Sequence, residues 1–452
     1  MGTAGVSGEY QGIREEMTMQ EEERHRTEKI GEAGNFSLDL FFQYIEREEN
    51  RRCTVFLIAV NRLHEVSDLY GFHAGTALMQ DRVQKLRRIT GLEEAVFSDG
   101  HDKLIVLTGL LLPEQASKRG KQMLQCIGSP FQWREKACFV TANMGIALTA
   151  EEQQDPERHL ADAEIALHDS FRKGEGGISL FCGTMRQIMT RKVDVERELQ
   201  QALEKQELRC LFQPWVDVST GQICAAEALM RWESPLLGKV SPEEFIPLLE
   251  KSGLIAPFDF WMLQSVCTQI RRWKEKGIKT VPVSVNISAA DLEQDCFYER
   301  VMAEMEATGT DPRDIGLEVT ERLLLSPDSC STELLHRLKK QGFSIIVDDF
   351  GVQYSSLQYL YRLPVDIIKI DRSFIQKMNG HGACDKIVES VISLAEKLHM
   401  KTVGEGVETP EEAAKLKQYH CGMIQGFLYY HPVCADCMED LLSAAGRNSA
   451  EK

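Results

Sequence analysis

The chain has 452 residues, 43% hydrophobic and 27% charged, which excludes a disordered polymer and makes two domains the natural division. A formal net charge of −17 argues against non-specific binding to DNA, RNA or an anionic membrane, because each needs a basic surface. No apolar run reaches transmembrane length and no apolar signal segment opens the chain, so a cytoplasmic protein without membrane insertion is expected.

Residues 1–34 are polar, with the run EEERHR, and read as a solvated tail. Residues 35–183 alternate strand-like and amphipathic segments. CTVFLIAV (53–60), KLIVLTGLL (103–111) and ACFVTANMGIAL (137–148) are strand candidates, and 76–88 is a helical run, which predicts an α+β domain with a mostly antiparallel sheet. Residues 184–206 contain no Pro or Gly and keep helical spacing. They read as a connecting helix, with a short coiled-coil seam as the alternative.

From residue 207 to 445, strand and helix alternate about eight times. RCLFQPW, CAAEALM, VPVSVNI, IGLEVT, FSIIVDD, DIIKID, KTVGEGV and GMIQGFL are the strand candidates, and 256–276, 331–340 and 385–398 are among the helices. That count and length predict a TIM-like (β/α)8 barrel, with a doubly wound open sheet as the alternative. Chemistry in such barrels sits at the C-terminal ends of strands. Glu227, Asn286, Glu318, Asp348, Asp349, Lys369, Glu405 and Glu408 fall at such ends.

Clustered carboxylates repel: two at about 4 Å cost roughly 4 kcal/mol at an effective dielectric near 20. Hard divalent cations are the usual remedy, so the pattern suggests a metal-dependent hydrolase. Adjacent strand residues face opposite ways, so Asp348 and Asp349 reach one ion only if the chain bends between them. Thirteen irregularly spaced cysteines read as reduced thiols. Cys434-Ala-Asp-Cys437, with Cys421 and His431 nearby, offers a zinc site in principle, but the second CxxC of a zinc ribbon is missing.

Ten ordered segments then carry a resemblance: FQPWVD (212–217), EALMRW (227–232), SPEEFIPLLEKSGLI (241–255), VNIS (285–288), LEVTE (317–321), DDFG (348–351), YSSL (354–357), LPVDIIKIDRSF (363–374), GEGVET (404–409) and QGF (425–427). Residues 208–440 resemble the EAL family of cyclic-di-GMP phosphodiesterases. The resemblance implies a TIM-like barrel with one reversed strand, and hydrolysis of cyclic di-GMP to linear pGpG with two Mg²⁺ or Mn²⁺ ions. It implies Glu227, Asn286, Glu318, Asp348, Asp349 and Glu405 as metal ligands. It assigns Lys369 to the attacking water or a phosphate oxygen, and Glu405 either to a metal or to general-base duty. Asp371, Glu408 and Gln425 are implied as supporting residues, Gln213 and Arg231 as substrate contacts, and Glu321 as the anchor of the loop after Asp349. A homodimer and an unidentified upstream signalling partner are further expectations. In that loop Val352 and Gln353 depart from the family's small residues, and Gly404 replaces a common Ala.

Residues 35–183 resemble a degenerate GGDEF domain, the diguanylate cyclase fold. FLIAVNRLHEVSDLYGFHAGTAL (56–78), DGHDKLIVL (99–107), VTANMGIAL (140–148) and LADAEIALHDSFRKGEGGISLF (160–181) carry the likeness. The signature reads Gly100-His101-Asp102-Lys103-Leu104, so Lys103 stands where the catalytic acid is expected. Ala59 replaces a metal-binding Asp, and Ser67 and Thr76 replace guanine contacts. No cyclase activity is expected; a regulatory, dimerising or sensing platform is. His73 and His101 read as ordinary, partly buried histidines. A catalytically silent cyclic-di-GMP receptor and a nucleotide-free interaction protein are the alternatives to the enzyme.

Overall fold

The run Cys53–Val60 forms β1, buried along its whole length, as only a central strand covered on both faces can be. Its residues alternate between two cores. Phe56, Ile58 and Val60 pack on one side, and Val55, Leu57 and Ala59 on the other. The computed structural model describes residues 38–45, 52–91, 94–148, 155–321, 329–351, 363–378 and 382–450. The polar tail 1–34 and the Val352–Gln353 departure lie outside them. Two compact units divide between Arg191 and Lys192, within the helix Gly183–Ala202.

In the first unit, β2 (Ala95–Ser98), β3 (Lys103–Gly109), β1, β6 (Ala142–Leu148) and β7 (Ile178–Leu180) form one sheet in that order. All pairs are antiparallel except β6 with β7. The expected single strand 137–148 is in fact two. β4 (Phe131–Trp133) and β5 (Lys136–Cys138) close a hairpin with Arg134 at φ 54°, so residues 136–138 pair locally and the chain reaches β1 only from Ala142.

The second unit is a closed ring of eight strands. β8 (Leu208–Asp217) pairs antiparallel with β9 (Ile223–Ser234), which β10 (Gly238–Val240) extends at its far end. From β9 the ring runs in parallel through β11 (Val283–Asn286), β12 (Ile315–Thr320), β13 (Ser344–Phe350), β14 (Ile367–Ile370), β15 (Lys401–Gly404) and β16 (Met423–Ile424). β16 then pairs antiparallel with β8 and closes the barrel. β8 is therefore the one reversed strand. Helices Ile255–Glu275, Ser329–Gln341 and Ala383–Lys397 match the expected runs within one or two residues.

Side chains of successive strand residues alternate in direction, so residues two apart share a face. Trp215, Ala225, Ile346, Val403 and Met423 pack together, with Ile367 against them. Ser284 and Gly316 belong to the same layer, for a Cβ on Gly316 would meet Ile346 Cδ1 at 2.7 Å and Ser284 Cβ at 3.1 Å. One step of two residues toward the barrel mouth gives Gln213, Glu227, Asn286, Glu318, Asp348, Lys369, Glu405 and Gln425. On β8 the step runs backward in sequence because that strand is reversed. A mostly apolar layer thus carries a wholly polar one, with one residue from each strand or the position just past its end.

Candidate active site

Lys369 lies in β14 and is 1% exposed. An isolated ammonium cannot stay charged there, since burial disfavours the ion by several kcal/mol. It is not isolated. Its Nζ lies 2.6 Å from Glu318, 2.6 Å from Glu405, 3.1 Å from Asp348 and 3.2 Å from Glu227. Burial pulls the ammonium's pKa down, but these carboxylates outweigh it and hold the group above its ordinary range. The face of Trp215 adds a cation–π contact at 5.9 Å.

One cation facing four acids leaves the acids unequal. Burial pushes Glu318 up to about 8, with Glu227 adding repulsion that Lys369 only partly offsets. Glu405 rises well above its usual value, first through burial and then through Asp348 and Glu227. Burial opposes ionisation of Asp348 too, yet Lys369, a bond from Glu405 and the Asp349 N–H bring it below the usual range. Glu318 and Glu405 are thus shifted upward while Asp348 beside them is shifted downward.

The remaining polar layer is tied by hydrogen bonds. Asn286 Nδ2 donates to Glu227 Oε1 at 3.2 Å, and Gln425 Nε2 donates to Glu227 Oε2 at 2.7 Å and to Gln213 Oε1 at 2.9 Å. Gln213 Nε2 donates to the Tyr430 carbonyl at 3.1 Å. Ser284 donates to Glu318 Oε1. Ser284 and Trp215 were not singled out from the sequence. The signal was present, because each lies two residues from a chosen position, Asn286 or Gln213, and so shares its face.

Asp349 sits at φ 53°, in the left-handed region, and the β13–β14 register shifts between Val347 and Phe350. This bulge supplies the bend that two adjacent acids need. Oxygens of Asp348, Asp349 and Glu405 lie within 4.8 Å of one another, the one such acidic group among the described residues. Burial, then Asp348 and Asp371, push Asp349 up to about 6. The donors are all oxygens, and the buried Glu405 Oε1 receives no well-aligned hydrogen bond despite its nearness to Lys369. Both observations fit a hard divalent cation. Glu227, Asn286 and Glu318 border this group, with the two glutamates turned to Lys369.

Other candidates lie at greater remove. Glu321, buried, accepts from the Gly351 N–H at 3.0 Å and fixes the chain just after the two aspartates. Asp371 caps the short helix Arg372–Ile375 through the Ser373 N–H, so it is not a simple partner of Lys369. Glu408 is exposed and accepts from Gln376 at 3.4 Å. The Arg231 guanidinium donates to the Met230 carbonyl at 2.8 Å. Cys421 is buried and donates to the Met423 carbonyl, so it does not join Cys434 and Cys437 in a metal site.

Gly426 sets the position of Gln425. A Cβ there would meet the Val407 backbone oxygen at 2.1 Å and nitrogen at 2.3 Å. Gly426→Ala is expected to cost about 1–3 kcal/mol of stability, read as a shifted denaturant midpoint, because backbone must move to admit the methyl.

In the first unit, Gly100 at φ 83° makes the turn between β2 and β3, and Asp99 Oδ1 accepts from the His101 and Lys103 N–H groups. Lys103 pairs with Glu164. Ala59 is buried, and the hydroxyls of Ser67 and Thr76 are spent on carbonyls of their own helices. His73 and His101 are exposed rather than partly buried, because both occupy turn or helix-start positions at the surface.

A barrel with one reversed strand and a lysine-centred acidic mouth defines a class, and the family comparisons name it. The EAL domain model matches residues 196–432, and the diguanylate cyclase GGDEF domain model matches residues 37–176. The chain belongs to the EAL family, with a GGDEF domain ahead of the barrel. It is similar to the cyclic di-GMP phosphodiesterase NbdA of Pseudomonas aeruginosa, 31% identical over 408 residues, which cover 90% of this chain and 52% of that protein. The bifunctional diguanylate cyclase/cyclic di-GMP phosphodiesterase MucR of the same organism is 31% identical over 388 residues, covering 86% and 57% respectively. The chain thus spans about half the length of the curated relatives it matches. A solved structure described as "PaMucR Phosphodiesterase, c-di-GMP complex" is 36% identical with a TM-score of 0.52, covering 54% of this chain and 99% of that one. Among the described residues, no helix is long and apolar enough to cross a membrane.

Proposed function

We propose that the barrel hydrolyses one phosphodiester bond of cyclic di-GMP to linear pGpG, with Mg²⁺ or Mn²⁺ as cofactor. The observation that carries this reading is the polar layer, in which one buried ammonium is held by four carboxylates beside an all-oxygen acidic group. The activities printed for NbdA and MucR support the substrate.

In this reading Glu227, Asn286, Glu318, Asp348, Asp349 and Glu405 hold two ions. Bound divalent ions lower the pKa of water and screen the anionic phosphate. Lys369 keeps a fixed positive charge at the mouth and orients the attacking water or a phosphate oxygen. Glu405 serves either as an ion ligand or as the general base. Gln213 and Arg231 contact the substrate, while Glu321, Asp371, Glu408 and Gln425 position the others. We further propose residues 35–183 as a non-catalytic regulatory domain, 184–206 as the connecting helix and 207–445 as the catalytic domain, working as a cytoplasmic homodimer.

Incubation with cyclic di-GMP and Mg²⁺ or Mn²⁺, resolved chromatographically, is expected to give pGpG. Glu227→Ala should lower the rate about 1,000-fold, in line with losing a main electrostatic contributor. Binding without turnover would favour a receptor, and no binding an interaction protein. A second expectation concerns the first unit. GTP with Mg²⁺ should yield no cyclic di-GMP, because Lys103 occupies the acid's place and is already paired with Glu164. Any dinucleotide formed would overturn that part.

A further inference from the structure

Cys434 and Cys437 belong to no part of the site above. Val433 pairs with Phe212 through two backbone hydrogen bonds of 2.8 Å, and the helix Ala435–Ala450 begins two residues later. Cys434 therefore stands at the helix N-cap. Its sulfur accepts from the Cys437 N–H at 3.4 Å, and the two sulfurs lie 3.0 Å apart, both side chains exposed. Residues three apart in a first helical turn are close neighbours, at the Cα separation that a disulfide accepts.

The two thiols are chemically unlike. The hydrogen bond shared with the Cys437 thiol, together with backbone N–H groups, favours the Cys434 thiolate, whereas Cys434 pushes Cys437 upward. An acidic, exposed thiol at a helix N-terminus with a second thiol in contact is the arrangement of an attacking and a resolving cysteine. Cys53, Cys138, Cys267 and Cys421 are buried. Cys182 and Cys296 are exposed as well, but among the described residues Cys434 and Cys437 are the one pair of thiols in contact.

We propose that Cys434 and Cys437 are a redox-active dithiol that closes to an intrachain disulfide by exchange with a low-molecular-weight disulfide. The Cys434 thiolate attacks one sulfur of the small disulfide, whose S–S bond breaks and releases one small thiolate, which takes a proton from water. Cys437 gives its proton to solvent and attacks the Cys434 sulfur of the mixed disulfide, releasing the second small thiol. Two protein thiols are oxidised and one small disulfide is reduced to two thiols. The bridge forms on a segment that also holds the barrel mouth, since Tyr430 accepts from Gln213 and Val433 pairs with the residue before it. The proposal stands independently of the hydrolase reading.

The test takes the full reduced chain into excess oxidised glutathione at neutral pH, alkylates free thiols and weighs the peptide that carries both residues. The wild type should give that peptide two hydrogens lighter and free of glutathione, reversed by dithiothreitol. Cys437→Ser should stop at a glutathione adduct on Cys434. Cys434→Ser should form an adduct on Cys437 about 10-fold more slowly, reflecting the lost thiolate. Both side chains are exposed, so circular dichroism should register no change in fold for either variant. A wild type that accumulates glutathione without bridging, reacts first at Cys437, or keeps a zinc ion that blocks both thiols would overturn the proposal.

Discussion

Lys369→Met is expected to destabilise the barrel by about 3–5 kcal/mol at pH 8, the usual cost of removing one partner from a buried ion pair. Methionine matches the lysine stem in length, so the loss reads the charge rather than a cavity. The pH dependence follows from the acids. Glu318 has a folded-state pKa of about 8, against an ordinary value of 4.5. Between those values the folded chain binds a proton that the unfolded chain does not, so stability falls as pH rises through that window. The lysine's raised pKa acts in the same sense but in a higher window. Its contribution is complete below 10.5 and is lost only as pH rises through its still higher folded value. At pH 8 the variant therefore carries carboxylates with no counter-ion. At pH 5 Glu318 is protonated, and the deficit should shrink to roughly half. Denaturant unfolding of both proteins at the two pH values measures this. An equal deficit at pH 5 and pH 8 would show that Lys369 is not the counter-ion of the cluster.

The same residues explain how much of the molecule was legible in the chain. Barrel strands announced themselves as short apolar runs, and the polar residue at each end marked the mouth. The eight mouth positions occur once per strand, so a period of two reaches the layer beneath from any of them. That rule places Trp215 and Ser284 in the site's floor. The split of 137–148 was not legible, because Lys136–Cys138 and Ala142–Leu148 form a continuous apolar pattern interrupted only by tertiary pairing with different partners. The bend at Asp349 was legible as a requirement, since two adjacent acids cannot otherwise share a ligand, but its form was not. A left-handed aspartate within a bulge depends on register against β14, which lies about twenty residues further on and is set by Glu321 and the strands around it. Lys369 is the sharpest case. Its spacing from Asp371 invites a local ion pair, whereas the fold turns Asp371 into a helix cap and gives Lys369 three acids from other strands and a fourth, Glu405, just past the end of β15.

Asp349→Asn is expected to weaken Mn²⁺ binding about 100-fold and to abolish its dependence on pH near 6. Asparagine tolerates φ 53° nearly as well as aspartate, so the backbone bend survives and only the charge is lost. In the wild type, burial and then the charges of Asp348 and Asp371 raise Asp349 to about 6, with Lys369 working against them. A carboxylate must be deprotonated to hold a cation, so below pH 6 protons compete and apparent affinity should fall about tenfold per pH unit. The variant has no such proton to lose at this position. The stability consequence has a definite sign as well. A carboxyl whose folded pKa is raised makes the protein less stable as pH climbs from 3.8 toward 6, so the amide variant should gain on the wild type at pH 8. Mn²⁺ titration calorimetry from pH 5.5 to 8 and thermal melts at both ends test the two signs separately. Asp349→Ala run beside it divides charge from backbone, because alanine accepts the left-handed conformation poorly. Wild-type affinity and an unchanged inflection near pH 6 in the asparagine variant would remove Asp349 from the ligand set and leave the bulge without a chemical purpose.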